Sequence, residues 1–197
     1  MWLYVGVSTV NPQPTAPRIA AWSRRTAAVL VAGVGLPWLR DLDLGTQFVR
    51  RAEHLTWPDG VVLEDLSYAA HRVLHRLQEL RPQRVVLVGA MPREIQPPGT
   101  VRCYQLDLTP PPDEEVQERL GEAVGGIIDL DHTLAVVRYW HGFPDDTVVI
   151  EVEPEDRSFG LGFSDPVEAA IAEVLELVRY HVGRPLPVRG QLGGQQA

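Results

Sequence analysis

The feature that most constrains this chain is an alternation. Short runs rich in Val, Ile and Leu, at residues 28–34, 60–63, 84–88, 100–106 and 147–152, are separated by longer stretches with helical spacing. Runs that are apolar throughout, rather than at every second position, suit strands covered on both faces, which is the condition of a parallel sheet. Right-handed crossovers then distribute the helices over the two faces. The expected fold is therefore α/β, a three-layer α/β/α sandwich around a mostly parallel, roughly five-stranded sheet. The spacing of Leu44, Phe48, Val49 and Ala52 predicts the first helix, and that of Ala70, Val73, Leu74 and Leu77 the second. Further helices are expected over 113–124, 132–140 and 165–182, the last with Val167, Ala170, Ile171, Val174, Leu175 and Val178 on one stripe. Asp165-Pro166 reads as its start, with an acceptor at the cap and proline in the first turn.

At 197 residues and 45% hydrophobic content, one continuous core is expected. Residues 1–26, with an apolar start and three prolines, read as an added arm, 27–183 as the domain, and 184–197, rich in glycine and proline, as a flexible tail. A net charge of -8 opposes contact with phosphate backbones, so nucleic acid is not an expected partner. No run reaches the roughly 18 apolar residues of a membrane span. Ser23-Arg24-Arg25 ahead of an apolar run imitates an export signal, but that run is broken by Pro37, lacks a small-residue cleavage site and reads as the first strand. A cytoplasmic location follows as the expectation. The single cysteine, Cys103, cannot close an internal disulfide and falls in a strand pattern, where a buried apolar role is expected.

Chemistry is sought at the carboxyl ends of the strands, where open α/β sheets hold their ligands. Asp41 and Asp43 follow the first strand, Glu64 and Asp65 end the second, and His132, preceded by Asp129 and Asp131, opens the fourth helix. Three converging loops of this kind would offer oxygen and imidazole ligands to a divalent metal. The same carboxylates would equally serve as helix caps and dipole partners. Gly33-Val34-Gly35 after the first strand permits a tight turn, but Pro37 and Trp38 stand where a dinucleotide fingerprint would continue to its third glycine. His71 and His75, four apart, have no nearby carboxylate in sequence to orient them and read as a solvated helix face, as do His54, His141 and His181.

The ordered pieces resemble the nickel-iron hydrogenase maturation proteases over about 155 residues, from Ala27 to His181. The resemblance is carried by Val29-Leu30-Val31-Ala32-Gly33-Val34-Gly35 with Gly45, by Pro98-Gly99-Thr100, and most strongly by Val149-Ile150-Glu151-Val152-Glu153-Pro154-Glu155-Asp156. The last is continued by Gly160-Leu161-Gly162-Phe163-Ser164 and Val167-Glu168-Ala169-Ala170. The resemblance implies cleavage of a C-terminal extension from a hydrogenase large-subunit precursor, with nickel carried by that substrate and no cofactor of the protease's own. It implies three metal-contacting positions, which fall here on Leu42, Gly89 and His132. Neither leucine nor glycine offers a ligating side chain, so a working site would need Asp41 or Asp43, together with Glu64, as replacements. Two readings follow: an endopeptidase using His132, Asp41 or Asp43, and Glu64 around the substrate's nickel, with no nucleophile assigned, or a degenerate member that binds a hydrogenase subunit or maturation factor without cutting it. A small-molecule enzyme using the same crevice is a third, and would require a closed pocket at the strand ends.

Overall fold

A computed structural model describes residues 27–126 and 128–187. The arm expected over residues 1–26 lies outside the described residues, as do residues 188–197 of the expected tail. Five strands form a single sheet: β1 (Val29–Gly33), β2 (Val61–Asp65), β3 (Arg84–Ala90), β4 (Val101–Gln105) and β5 (Asp146–Val152), in the order β2-β1-β3-β5-β4. All neighbours are parallel except β4, which runs antiparallel against β5. The helices are α1 (Leu44–Ala52), α2 (Ala70–Leu80), α3 (Asp113–Val124), α4 (Leu130–Tyr139) and α5 (Asp165–Gly183), with a 3-10 turn at Arg40–Asp43 before α1.

The alternation of side chains along each strand divides the core into two. Leu30, Ala32, Val85, Leu87 and Val149 face Val73 and Leu77 of α2 and Leu130, Leu134 and Val137 of α4. Val29, Val31, Val86, Val88, Val148, Ile150 and Val152 face Leu44, Phe48 and Val49 of α1 and Val167, Val174 and Val178 of α5. Each such side chain stabilises the fold by about 1.5–3 kcal/mol relative to exposure, so the layered arrangement is dictated by where these stripes are satisfied. β1, β3 and β5 are covered on both sides, as their sequences require, whereas β2 is half-buried along its length and β4 largely exposed.

Cys103 is therefore not buried: it sits on the antiparallel edge strand, which presents Arg102, Cys103 and Gln105 to solvent. His181 reverses its expectation too, being buried near the end of α5, with Nε2 3.2 Å from the Cys103 sulfur and Nδ1 accepting from Arg184. Burial and the charges of Arg184 and Arg84 hold its pKa below the ordinary value, while burial pushes the Cys103 thiol up. Contacts with the sheet and core continue past Gly183. Arg84, buried at the start of β3, donates to the carbonyls of His181, Arg184 and Pro185, and Leu186 packs on the α1/α5 core.

Candidate active site at the carboxyl end of the sheet

The glycines that open the first loop have a packing reason. A Cβ on Gly33 would lie 2.1 Å from the Gly45 carbonyl oxygen, and one on Gly45 would lie 2.3 Å from Val34. The end of β1 and the start of α1 thus meet backbone to backbone, which only glycine allows. This contact aims the Arg40–Asp43 turn across the top of the sheet.

Asp41, completely buried, accepts from the backbone N–H groups of Glu155, Asp156 and Ser164 and from the Ser164 hydroxyl, at 2.7–2.9 Å. These are charge-assisted bonds, and they consume both oxygens in tying the turn after β1 to the loop between β5 and α5. The residue at the cap of α5 is accordingly Ser164 rather than Asp165, and its hydroxyl is committed to Asp41. Glu153 does the corresponding work for the loop after β3, accepting from the N–H groups of Arg93 and Glu94. The acidic Glu153-Pro154-Glu155-Asp156 motif is in this way a loop fastener.

Asp43, also buried, accepts from the Gln47 amide at 2.6 Å through one oxygen, and its Oδ1 has no hydrogen-bond partner among the described residues. Glu64 lies at the end of β2, as expected, and forms a two-point ion pair with Arg76 of α2. His132 is buried in the first turn of α4. Its Nδ1 donates to the Arg119 carbonyl at 2.8 Å, and its own N–H is capped by Asp129. The helix-cap reading of the carboxylates thus holds at Asp129. The two histidines of α2, His71 and His75, stand exposed, their ring centroids 6.0 Å apart.

The metal set expected from the sequence, His132 with Asp41, Asp43 and Glu64, is not assembled. Among the described residues no three His, Cys, Asp or Glu side chains are grouped to hold a metal ion. Asp41 is saturated by N–H and hydroxyl donors, Glu64 is paired to a guanidinium on the α2 side, and His132 is turned into the α3/α4 packing.

Gly89 explains why no substitute arises beside β3. A Cβ there would lie 2.7 Å from the Val34 carbonyl oxygen and 3.2 Å from the Leu130 side chain. Any side chain there would press first on the Val34 backbone and then on Leu130 of α4. Directly across the ladder from Gly89 stands Glu151, which is buried and was read from the sequence only as part of a motif. Its carboxylate accepts from Arg93, Arg102 and the Tyr104 hydroxyl, at 2.8–3.0 Å. Arg93 also makes a two-point pair with Asp131, next to His132. Hydrogen bonds donated to Glu151, then to Asp131, hold the Arg93 guanidinium well above its ordinary pKa, and burial followed by the Glu151 charge does the same to Tyr104. The cation these acids hold is a guanidinium from the chain itself. Arg93 escaped the sequence reading because nothing in a lone arginine between two loops signals a partner 58 residues away.

The chain resembles solved structures over most of its length. It is 27% identical to the hydrogenase maturating endopeptidase HybD from E. coli, with 76% of this chain and 88% of that one covered at a TM-score of 0.58. An endopeptidase from Escherichia coli is 25% identical, with 78% and 91% covered at a TM-score of 0.59. A hydrogenase 2 maturation peptidase from a Thaumarchaeota archaeon shares the fold at 23% identity, with 79% and 97% covered and a TM-score of 0.57. No protein-family model and no curated protein matches the chain. The interlocked glycines and the loop-fastening carboxylates lie in or beside the segments that carry the sequence resemblance, and the chain has the fold of the solved hydrogenase maturation peptidases, which it resembles at 23–27% identity.

Proposed function

We propose that the chain serves hydrogenase maturation, in the cytoplasm, by binding a nickel-iron hydrogenase large-subunit precursor or a maturation factor without cutting it. The observation that carries this reading is the closed space at Gly89, where Val34 and Leu130 occupy the volume in which a carboxylate ligand would have to stand. The Arg93 guanidinium between Glu151 and Asp131 supports it, because a resident positive charge opposes the approach of a metal cation. Among the described residues no helix is long and apolar enough to cross a membrane.

The rival reading is an endopeptidase that grips substrate-borne nickel through His132 and Asp43. It draws on the buried Oδ1 of Asp43, which has no hydrogen-bond partner among the described residues, at the same end of the sheet. Purified chain incubated with a nickel-loaded large-subunit precursor separates the two by mass spectrometry of the precursor. Stable association with an intact C-terminus is the expected outcome, and release of a C-terminal peptide would overturn the proposal.

A further inference from the structure

An edge strand leaves a row of backbone N–H and C=O groups unpaired, which makes it a template for another strand. The sheet has its edges at β2 and β4. β2 carries Glu64 and Asp65 within its five residues and is half-buried by what flanks it. β4 has neither acid nor proline, its one charge, Arg102, is paired with Glu151, and its five pairs with β5 follow one another without a bulge. Charges, prolines and bulges are what blunt native edges, so β4 is the open one.

The phase of β4 is fixed at its two ends. The Glu153 N–H donates to the Thr100 carbonyl at 3.0 Å, and the Leu106 N–H donates to the Thr147 carbonyl at 2.8 Å. Backbone groups alternate in direction along an antiparallel ladder, so Arg102 and Tyr104 also turn theirs toward β5. Those of Val101, Cys103 and Gln105 point away from the sheet, and among the described residues their N–H and C=O groups have no partner.

Three outward residues centred on Cys103 are complementary to themselves. About a two-fold axis through Cys103, that residue meets its own copy, Val101 meets Gln105 of the second copy, and every outward group on both strands is bonded. Arg102 then stands opposite Tyr104 of the second copy, and its guanidinium already lies 5.7 Å from the centre of its own Tyr104 ring. An axis through Arg102 would set like charges face to face, and one through Tyr104 would carry Val101 past the end of the strand. Tyr104 also lines a groove of about 350 Å³ whose charged members are Asp107, Glu115 and Asp131 against Arg119 and Arg138, an excess of acid that suits an arriving guanidinium. We infer that β4 is the edge at which two copies of this chain pair, antiparallel about Cys103, joining their sheets into one. This surface is separate from the loops at the carboxyl end, and the inference stands whether or not the proposed function does.

Sedimentation equilibrium of the full chain tests it. Edges of five residues meet over an area near or below the roughly 1,200 Å² at which specific interfaces begin, so the expected result is a concentration-dependent monomer–dimer equilibrium. No larger species should form, because the two-fold pairing closes on itself. Cys103→Pro and Gln105→Pro each remove an outward N–H on both sides of the axis and leave the bonds to β5 in place, at edge positions where proline is tolerated. Each should weaken the dimer at least about tenfold with an unchanged circular dichroism spectrum. The paired Cys103 residues would stand about 5.5 Å apart at Cα, within disulfide reach. Diamide, a diazene that takes up the two thiol hydrogens as it becomes a hydrazine, should therefore convert wild type to a covalent dimer. Gln105→Pro should slow that cross-link, and Cys103→Ser should abolish it while still dimerising reversibly. A monomer at every concentration, the result if the edge takes some other strand, would overturn the pairing, as would a dimer that neither proline weakens.

Discussion

The two faces of the sheet end differently. On the α1/α5 face, Gly33 and Gly45 interlock, and Asp41 ties the turn after β1 to the loop after β5. On the α2/α4 face, Leu130 closes the space at Gly89, and Arg93 occupies the acids Glu151 and Asp131. The comparison teaches that a strong motif match can record a scaffold. The motif carboxylates here fasten loops, and the departures lie where a reaction centre would need open space and free ligands.

The sharpest break of this comparison is Asp41→Ala. Three backbone N–H groups and a hydroxyl would lose a charged acceptor, so unfolding free energy should fall on the order of 3–5 kcal/mol in a urea titration. A loss below about 1 kcal/mol would mean that the clamp is not what holds the two loops.

Gly89→Asp probes the other face. Overpacking against Val34 and Leu130, with a carboxylate in an apolar space, should cost about 2–4 kcal/mol and create no cleavage. Coupling it with Leu130→Ala should recover part of that cost in a double-mutant cycle, because one of the two obstructing groups is removed. Cleavage activity appearing in the double variant would show that only this blockage separates the chain from an active protease.

Arg93→Ala should cost about 1–3 kcal/mol, less than Asp41→Ala because Glu151 keeps Arg102 and Tyr104. The smallest effect concerns pH. His181 titrates below its ordinary 6.5 in the folded chain, so the unfolded state takes up a proton first as pH falls. Its contribution is present above about 6.5 and lost as pH drops below it, and His181→Gln should flatten that part of a stability-versus-pH curve. An unchanged slope would show that another group titrates there.

Much of the fold was legible because helix and strand periods are local. The third helix runs over Asp113–Val124 as expected, and all five strands lie where the apolar runs stand, within two residues at their ends. The errors fell where burial depends on what lies alongside. Cys103 reads as a core residue until β4 is known to be an edge, and His181 reads as solvated until Arg84 and Arg184 are known to enclose it.

Residue order alone thus decided the succession of elements, the two apolar stripes of the core and the resemblance to the maturation proteases, since each is written in spacings of a few positions. Whether a carboxylate is a ligand or a fastener was settled only by the tertiary structure. Asp41 meets its donors 114 to 123 residues away, and Arg93 meets Glu151 at a separation of 58. Such pairings follow from strand order and helix docking, and a carboxylate's chemistry is set by whichever charges and N–H groups that docking brings to it.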